Sequence, residues 1–500
     1  MCPVKGSLSS DVITNPTFLK WAGIVLFALV VYFPVFLHLE KPVFRVWDES
    51  RIAINTIEMS ENGDLLVPHY EGAPDLWNTK PPLLIWAQLV FYNVFGVGEL
   101  AFRLPAGLAA MLTCIGIMLF SLRYMKSYWF GLIATLVLIT SNGYIGFHVA
   151  RFGDYDSMLT MFMFLYAICF FLYISSGDRR FWYAFIAMMV LSVMTKGIQG
   201  LLFLPGLVVY LFFNYRGIRN SIRFMVLTFV AGLVLASSYY LLREIVHPGY
   251  LQIVWNNELG GRYLQTLEGN GGNFWFYYYK LIHYRFDSWY WLLPVGALMG
   301  ILSRSTETRE LTIFSITLIL TYWLIISSSQ TKLEWYDAPL YPLMAMLPTI
   351  AIYQVFTLIS GLREFTTLRS QHTYFIFHYI FVIVLFFNPY ERILKRFYWL
   401  EENQWDQKIY SLSYQLRKEA NEPGELEGYK YLYEGHRAHI ELYVKKINSN
   451  GGMIEHKDYH NLAAGDEVIL NQYHIYEFIK EHHDFELLDQ NGNLYRLRIL

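Results

Sequence analysis

Two pairs of acidic residues stand in loops between long apolar runs. Asp48 and Glu49 follow the first apolar run, and Asp154 and Asp156 directly precede a later one. A carboxylate in such a loop can act as a general base toward an acceptor hydroxyl, which contributes roughly 10²–10⁴-fold to a rate. The same residues can instead be first-turn helix charges or helix caps. Residue type and spacing leave both roles open for all four.

Basic residues in the same set of loops suit recognition of a phosphate group. They are Lys80, Lys196, Arg262 and Lys332. A lysine binds phosphate as a point charge, whereas an arginine can make bidentate contacts. The alternatives are a lysine that snorkels to lipid head groups and, for Arg262, an ordinary helical ion pair with Glu258. The spacing permits phosphate sites without requiring them.

Membrane helices are the elements that must position these residues. Of the 500 residues, 55% are hydrophobic and only 16% are charged, whereas a soluble domain carries about 25% charged residues. We predict a polytopic α-helical membrane protein with about 11–13 transmembrane helices. The net charge of −2 gives no reason to expect nucleic acid as a partner, and we expect membrane lipids instead.

The distribution of basic residues orients the predicted bundle. Clusters of arginine and lysine fall in alternate loops, which by the positive-inside rule face the cytoplasm together with the N-terminus. The acidic pairs and the four cations then lie on the outer face. Residues 82–96 would reverse every later loop if they crossed the bilayer, so we predict an interfacial or re-entrant helix there.

The chain divides near residue 389, where charged residues become frequent. We predict a transmembrane domain with outer-face loops over residues 1–388 and a soluble α/β domain on the outer side over residues 389–500. Within the second domain we predict helices at 401–419 and 436–446, strands at 429–433 and 467–470, and a hairpin over 485–500 centred on Asn491-Gly492.

An ordered set of short motifs between about residues 40 and 345 resembles the GT-C membrane glycosyltransferases. The similar branch contains the protein O-mannosyltransferases and the bacterial lipid A aminoarabinose transferase. The motifs are Asp48-Glu49 with Gly63-Asp64, then Thr79-Lys80-Pro81-Pro82, Arg103-Leu104-Pro105, Asp156-Ser157, Thr195-Lys196-Gly197 and Lys332-x₃-Tyr336-x₂-Pro339. Each motif alone is short, and the order of the whole set carries the resemblance.

The resemblance implies an inverting glycosyltransferase of the bacterial inner membrane with a periplasmic active site. Its donor would be a hexose or pentose on polyprenyl (undecaprenyl) phosphate, and its acceptor a lipid, a glycan or a protein. The residues expected in catalysis are Asp48, Asp156 and Glu49, with Asp48 as the base. Those expected to bind the donor phosphate are Lys80, Arg262, Lys332 and Tyr336. Those expected to contact substrate are Asp154, Lys196 and Glu258.

One departure from the family pattern concerns a divalent metal. The aminoarabinose transferase pattern holds a metal through an acid just before the loop lysine and a histidine just after the later acid. Here these positions are Thr79 and Leu259. We therefore assign no metal ligand and no certain cofactor: the resemblance allows a divalent metal, but its expected ligands are not matched.

The alternative function is a transporter or a flippase of lipid-linked sugars. Transporters place ionisable residues near the midplane of the bilayer and often contain inverted repeats. Here the ionisable residues crowd the loops and the sequence contains no internal repeat. The pattern therefore favours an enzyme.

Overall fold

Helices account for most of this protein in the computed structural model, which describes residues 16–214, 222–361, 368–398 and 404–500. The helices up to residue 254 are α1 (Pro16–Phe36), α2 (Asp48–Asn62), α3 (Leu83–Phe95), α4 (Glu99–Phe120), α5 (Tyr128–Ile139), α6 (Asn142–Ile145), α7 (Tyr155–Ser176), α8 (Arg179–Lys196), α9 (Leu204–Asn214), α10 (Ile222–Val246) and α11 (Tyr250–Val254). The later ones are α12 (Phe276–Lys280), α13 (Leu292–Ile301), α14 (Thr306–Ser328), α15 (Tyr341–Gly361), α16 (Leu368–Tyr398), α17 (Gln404–Asn421), α18 (Ala438–Ser449) and α19 (Tyr473–His482).

Six stretches in the described residues are long and apolar enough to cross a membrane. They are Glu99–Met125, Tyr155–Ser176, Arg179–Leu201, Ile222–Val246, Thr306–Ser328 and Glu334–Leu358. Five shorter apolar helices accompany them, in α1, α3, α5, α9 and α13. The chain is a multi-pass membrane protein, so the predicted fold class is confirmed.

Helix α3 occupies the stretch for which an interfacial or re-entrant helix was predicted. It has 13 residues, which at 1.5 Å per residue reach about 20 Å. The hydrocarbon core is about 30 Å thick, so α3 alone is too short to cross it. The side of the membrane on which it lies stays a prediction.

Close helix packing fixes the interior of the bundle. Helix α7 packs along α8, and α15 packs between α5 and α13. The closest approach is at Gly296 of α13, where a Cβ atom would lie 1.8 Å from the carbonyl oxygen of Leu347. Small residues allow such backbone contact between membrane helices. Any side chain at position 296 would force α13 and α15 apart.

The C-terminal region contains a five-stranded mixed sheet. Its strands are β3 (Lys430–Tyr431), β4 (Glu455–His456), β5 (Glu467–Leu470), β6 (Phe485–Asn491) and β7 (Leu494–Ile499), after the short β1–β2 hairpin (His69–Tyr70 and Ala73–Pro74) of an earlier loop. The sheet order is β4-β3-β5-β7-β6, with β3 parallel to both neighbours and the last three strands antiparallel. A sheet-containing C-terminal domain is thus confirmed.

The domain differs from the sequence prediction in detail. Asn491 pairs with Leu494, so the hairpin loop is Gly492-Asn493, one residue later than predicted. The reason is that Gly492 takes the positive φ of 60° that the first loop position requires. Helix α19 and strand β4 were not predicted. The boundary predicted at residue 389 falls within α16, and α17 begins at Gln404.

The C-terminal domain shares a hydrophobic core with the loop helix α2. Val43, Phe44 and Ile54 belong to the same buried cluster as Leu416 and Tyr443. Helices α2 and α18 are also in direct contact. The loop that carries Asp48 therefore packs between the helical bundle and the C-terminal domain.

A buried ion pair connects this loop to the bundle. The guanidinium of Arg103, on α4, donates to both carboxylate oxygens of Glu49 at 2.7 and 2.8 Å, and each side chain is 1% exposed. Arg103 also donates to the carbonyls of Leu39, Pro42 and Val43. One arginine thus holds both the start of α2 and the segment before it.

Glu49 was predicted as a catalytic acid, and the structure gives it a different role. Its carboxylate accepts further hydrogen bonds from the backbone N–H groups of Arg45 and Gly153, both at 2.9 Å. Burial alone would raise the pKa of Glu49, but the charge and hydrogen bonds of Arg103 hold that pKa below its ordinary value. With all its acceptor positions in use and no exposed surface, Glu49 joins chain segments and does not face substrate.

We predict that Glu49→Ala strongly destabilises the protein. Removing one partner leaves the Arg103 guanidinium buried without a counter-charge, which costs about 3–5 kcal/mol. Thermal unfolding in detergent measures the loss. Glu61→Ala is the matched control, because Glu61 is an exposed acid at the end of the same helix. Equal unfolding temperatures for the two variants would contradict the assignment.

Candidate active site

One cleft brings together seven of the ten predicted site residues. They are Asp48, Lys80, Asp154, Lys196, Glu258, Arg262 and Tyr336. The cleft lies where the start of α2, the loops after α2, α6 and α11, and the end of α8 meet the segment before α15. Glu49, Asp156 and Lys332 do not line it. Four further residues line it and were not predicted: Asn78, Tyr155, Gln199 and Trp335. Uncharged polar and aromatic residues are common in the loops of this chain, so these four had no distinguishing pattern.

Asp48 is the first residue of α2, and its side chain is 27% exposed toward the cleft. Burial raises the pKa of its carboxyl, and the nearby charge of Asp154 raises it further. The positive charges of His148, Lys80 and Lys196 act in the opposite direction. Asp48 is a first-turn helix charge, as the structural alternative required, and it also faces the cleft.

His148 is a site residue that the sequence analysis did not assign. Its Nδ1 is hydrogen-bonded to Asp154 and lies 3.9 Å from Asp48. Its ring stacks on Trp335 with the centroids 3.6 Å apart. Burial would lower the pKa of His148, but the hydrogen bond and charge of Asp154 raise it above its ordinary value. The available signal was a histidine six residues before an Asp-x-Asp sequence.

Asp154 is the helix cap that its sequence allowed, and it also binds His148. It is the N-cap of α7, where one carboxylate oxygen accepts a 2.6 Å hydrogen bond from the backbone N–H of Tyr155. The other oxygen binds His148. Capping fixes the direction of this carboxylate, so Asp154 holds His148 in the cleft.

Asp156 and Lys196 form a buried ion pair. The lysine Nζ lies 2.7 and 2.6 Å from the two carboxylate oxygens, and the side chains are 5% and 1% exposed. The pair joins the start of α7 to the end of α8. Lys196 still borders the cleft, but its charge is balanced by Asp156. Asp156 itself does not reach the cleft.

Lys80 and Arg262 are the cleft cations that the described residues leave without a carboxylate partner within 4 Å. The Lys80 ammonium lies 5.7 Å from the ring centroids of both Trp77 and Tyr155. Arg262 donates to the hydroxyl of Tyr336 at 3.0 Å. Both cations therefore have donor capacity directed into the cleft.

The ion pair between Arg262 and Glu258, the alternative considered for these residues, does not form. Glu258 accepts a 3.0 Å hydrogen bond from the hydroxyl of Thr79 instead. The backbone turns through a π-helical segment, Trp255–Leu259, so the regular four-residue spacing is lost. Thr79, at a position where the family pattern has a metal ligand, links two loops by this hydrogen bond.

Lys332 was predicted to bind phosphate, but its ammonium is used elsewhere. Its Nζ donates to the carbonyls of Ser327 and Ser329 at 2.7 and 2.6 Å. These carbonyls are at the C-terminal end of α14, where unpaired carbonyl groups attract cations. The sequence could not indicate this, because the acceptors are backbone atoms.

One group of side chains fits a divalent metal. Among the described residues, Asp48, His148 and Asp154 offer ligand atoms that all lie within 4.8 Å of one another. Two carboxylates and an imidazole suit Zn²⁺ or Mn²⁺. No metal ligand was predicted from the sequence, so this group is new.

Comparison with known proteins identifies the fold. Residues 79–240 match the family described as dolichyl-phosphate-mannose-protein mannosyltransferase. The crystal structure of ArnT from Cupriavidus metallidurans bound to undecaprenyl phosphate superposes with a TM-score of 0.66 and 16% identity. That superposition covers 97% of this chain and 98% of ArnT.

Two sequence relatives match a large part of the chain. An uncharacterized protein of Aquifex aeolicus is 28% identical over 310 residues, which is 60% of this chain. The undecaprenyl phosphate-alpha-4-amino-4-deoxy-L-arabinose arabinosyl transferase of Aeromonas salmonicida is 25% identical over 340 residues, which is 66% of this chain. The matched regions span 58% and 59% of the two relatives' lengths. The chain therefore has the fold of ArnT, and over part of its length its sequence is similar to the dolichyl-phosphate-mannose-protein mannosyltransferase family and to the Aeromonas arabinosyl transferase.

Proposed function

We propose that the protein transfers a sugar from a polyprenyl-phosphate donor to a lipid, glycan or protein acceptor. The observation that carries this proposal is the cleft in which Asp48 faces Lys80 and Arg262. A carboxylate opposite two cations without carboxylate partners suits a reaction that removes a proton at one end and releases a phosphate at the other. The names of the relatives support the donor class, and the acceptor is left open among the three.

In the proposed reaction, the acceptor hydroxyl attacks the anomeric carbon in a single displacement that inverts the sugar. Asp48 takes the hydroxyl proton, and its raised pKa makes it a stronger base than an ordinary aspartate. The new carbon–oxygen bond forms as the bond to phosphate breaks, and polyprenyl phosphate leaves with the electron pair. Lys80 and Arg262 stabilise the charge that develops on that phosphate.

The other cleft residues hold this arrangement in place. Asp154 orients His148 beside Asp48, and Glu258 ties the Lys80 loop to the Arg262 loop through Thr79. A divalent ion bound by Asp48, His148 and Asp154 would supply Lewis-acid polarisation of an acceptor oxygen. The positions of Asp154 and Glu258 beside the cleft also suit contacts with substrate hydroxyl groups.

We further propose that the cleft opens on the periplasmic side of a bacterial inner membrane. The support is the distribution of basic residues among the alternate loops, which places the N-terminus in the cytoplasm. A protease added to spheroplasts tests this proposal, because it reaches only the outer face of the inner membrane. Cleavage of a site inserted after Asn421 is expected, and protection of that site would contradict it.

The transferase proposal is tested by incubating purified protein with a panel of labelled polyprenyl-phosphate sugars and measuring released polyprenyl phosphate. We expect release with one donor and a fall of roughly 10²–10⁴-fold in Asp48→Asn, because the base is lost. Glu61→Gln is the matched control, as an exposed acid on the same helix. The absence of release with any donor, together with uptake of lipid-linked sugar into vesicles, would favour the flippase.

Lys80→Ala should weaken binding of the donor phosphate. Loss of one charge-assisted contact costs about 1.5–3 kcal/mol, which is roughly a tenfold or greater rise in the dissociation constant of undecaprenyl phosphate. Tryptophan fluorescence can report this binding, because Trp77 and Trp335 line the cleft. Lys80→Arg should recover part of the affinity. Lys480→Ala, on α19 of the C-terminal domain, is the control, and an equal affinity in both alanine variants would remove Lys80 from the site.

The pH dependence of kcat should report Asp48. A base acts only when deprotonated, so a raised pKa moves the acidic limb above the value of about 3.9 for an ordinary aspartate. In His148→Ala the positive charge that lowers the pKa of Asp48 is removed, while Asp154 still raises it. The acidic limb should then move to higher pH. His482→Ala, an exposed histidine, should leave it in place. If the acidic limb of the kcat profile is unchanged or moves to lower pH in His148→Ala, His148 does not lower the pKa of Asp48.

A further inference from the structure

The segment Phe44–Trp47 leads into Asp48 without helical or strand structure. Backbone N–H groups outside regular structure need other acceptors when they are buried. Here the C-terminal domain supplies them. The N–H of Phe44 donates to the hydroxyl of Tyr443 at 3.0 Å, and the N–H of Val46 donates to the hydroxyl of Tyr410 at 3.4 Å.

The residue between them is held from both sides. The N–H of Arg45 donates to Glu49 at 2.9 Å, which connects the segment to the bundle. Its guanidinium forms an ion pair with Asp406 of α17, and both side chains are buried. The guanidinium also lies over the ring of Tyr410, 4.6 Å from its centroid. The C-terminal domain thus contacts the backbone and the side chain of this short segment.

Trp47 shows why the segment needs outside support. Its φ of 74° and ψ of −121° are unfavourable for a residue with a Cβ atom, and such a conformation persists only where the surroundings impose it. The indole is 56% exposed. Its ring lies parallel to that of His436, at 2° and a centroid distance of 4.7 Å, and Tyr70 lies at 6.2 Å from the same histidine.

We propose that Tyr410, His436 and Tyr443 of the C-terminal domain are positioning residues for Asp48. None of the three lines the cleft, so they act through the Phe44–Trp47 segment. Trp47 is the residue before Asp48, and its backbone direction sets where the carboxylate of Asp48 points. The proposal rests on the proposed transfer reaction for its kinetic consequence, but the contacts that it assigns are independent of that reaction.

A positioning role has a kinetic signature that differs from donor binding. Displacement of a catalytic group by about 1 Å can reduce a rate by roughly 10²-fold. The phosphate contacts of Lys80 and Arg262 are on other loops, so donor affinity should be preserved. We expect His436→Ala to lower kcat at least about tenfold while the donor KM changes less than about twofold.

The experiment combines this kinetic comparison with hydrogen exchange on the full-length protein in detergent. In His436→Ala and Tyr443→Phe, the amides of residues 44–47 should exchange faster than in the wild type. His436→Phe restores a flat ring against Trp47 and should recover most of kcat and of the protection. His482→Ala and Tyr473→Phe, both at exposed residues of the same domain, should change neither quantity.

The outcomes separate this proposal from the transferase proposal. A normal kcat in His436→Ala would overturn the positioning role. So would unchanged amide hydrogen exchange of residues 44–47 in both His436→Ala and Tyr443→Phe. A fall in kcat that His436→Phe does not reverse would also contradict it. If the wild type transfers no sugar, the proposed function fails, and the exchange rates alone decide whether the C-terminal domain holds the segment. Tyr410→Phe repeats the exchange test if another variant does not fold.

Discussion

The ion pair between Glu49 and Arg103 is the interaction on which the site depends. It is shielded from water, and its geometry is bidentate, so it is much stiffer than a surface pair. Arg103 belongs to a membrane helix, Glu49 lies in the first turn of α2, and the N–H of Gly153 lies just before Asp154. One carboxylate therefore joins the two acidic loops of the sequence to the same helix. The distance between Asp48 and Asp154 follows from that junction.

The charges around the cleft divide into those that hold the structure and those that remain available. Asp156 balances Lys196, and backbone carbonyls take up the charge of Lys332. Ionisable groups at membrane depth are costly unless they are paired, and these pairings remove that cost. Among the described residues, Lys80 and Arg262 are left beside the cleft without a carboxylate partner, and Asp48 lies 3.9 Å from His148. Only the charges that face the cleft therefore remain available to a substrate, because the other charges are balanced within the protein.

Composition, charge distribution and motif order were sufficient for the membrane class, the helical fold and seven residues of the cleft. They were not sufficient to separate Asp48 from Glu49, because adjacent residues at a helix start point in different directions and only packing decides which one meets Arg103. The contacts of Lys332 could not be predicted, since its partners are carbonyl groups, which every residue carries. His148 was not assigned, because its partners come from a tight loop and from Trp335, far along the chain. Pairing of this kind depends on tertiary structure and leaves no local pattern.

The shared core of α2 and the C-terminal domain has a consequence for biosynthesis. Phe44 and Tyr443, which touch in the folded protein, are 399 positions apart in the chain. At a synthesis rate of about 5–20 residues per second, the second is made roughly 20–80 s after the first. During that time the hydroxyls of Tyr410 and Tyr443 are not yet available to accept hydrogen bonds from the Phe44–Trp47 segment. The ring of His436, which stacks on Trp47, is also still missing. The bundle is thus synthesised before the Phe44–Trp47 segment has its final contacts. These contacts form only when the C-terminal domain has been made.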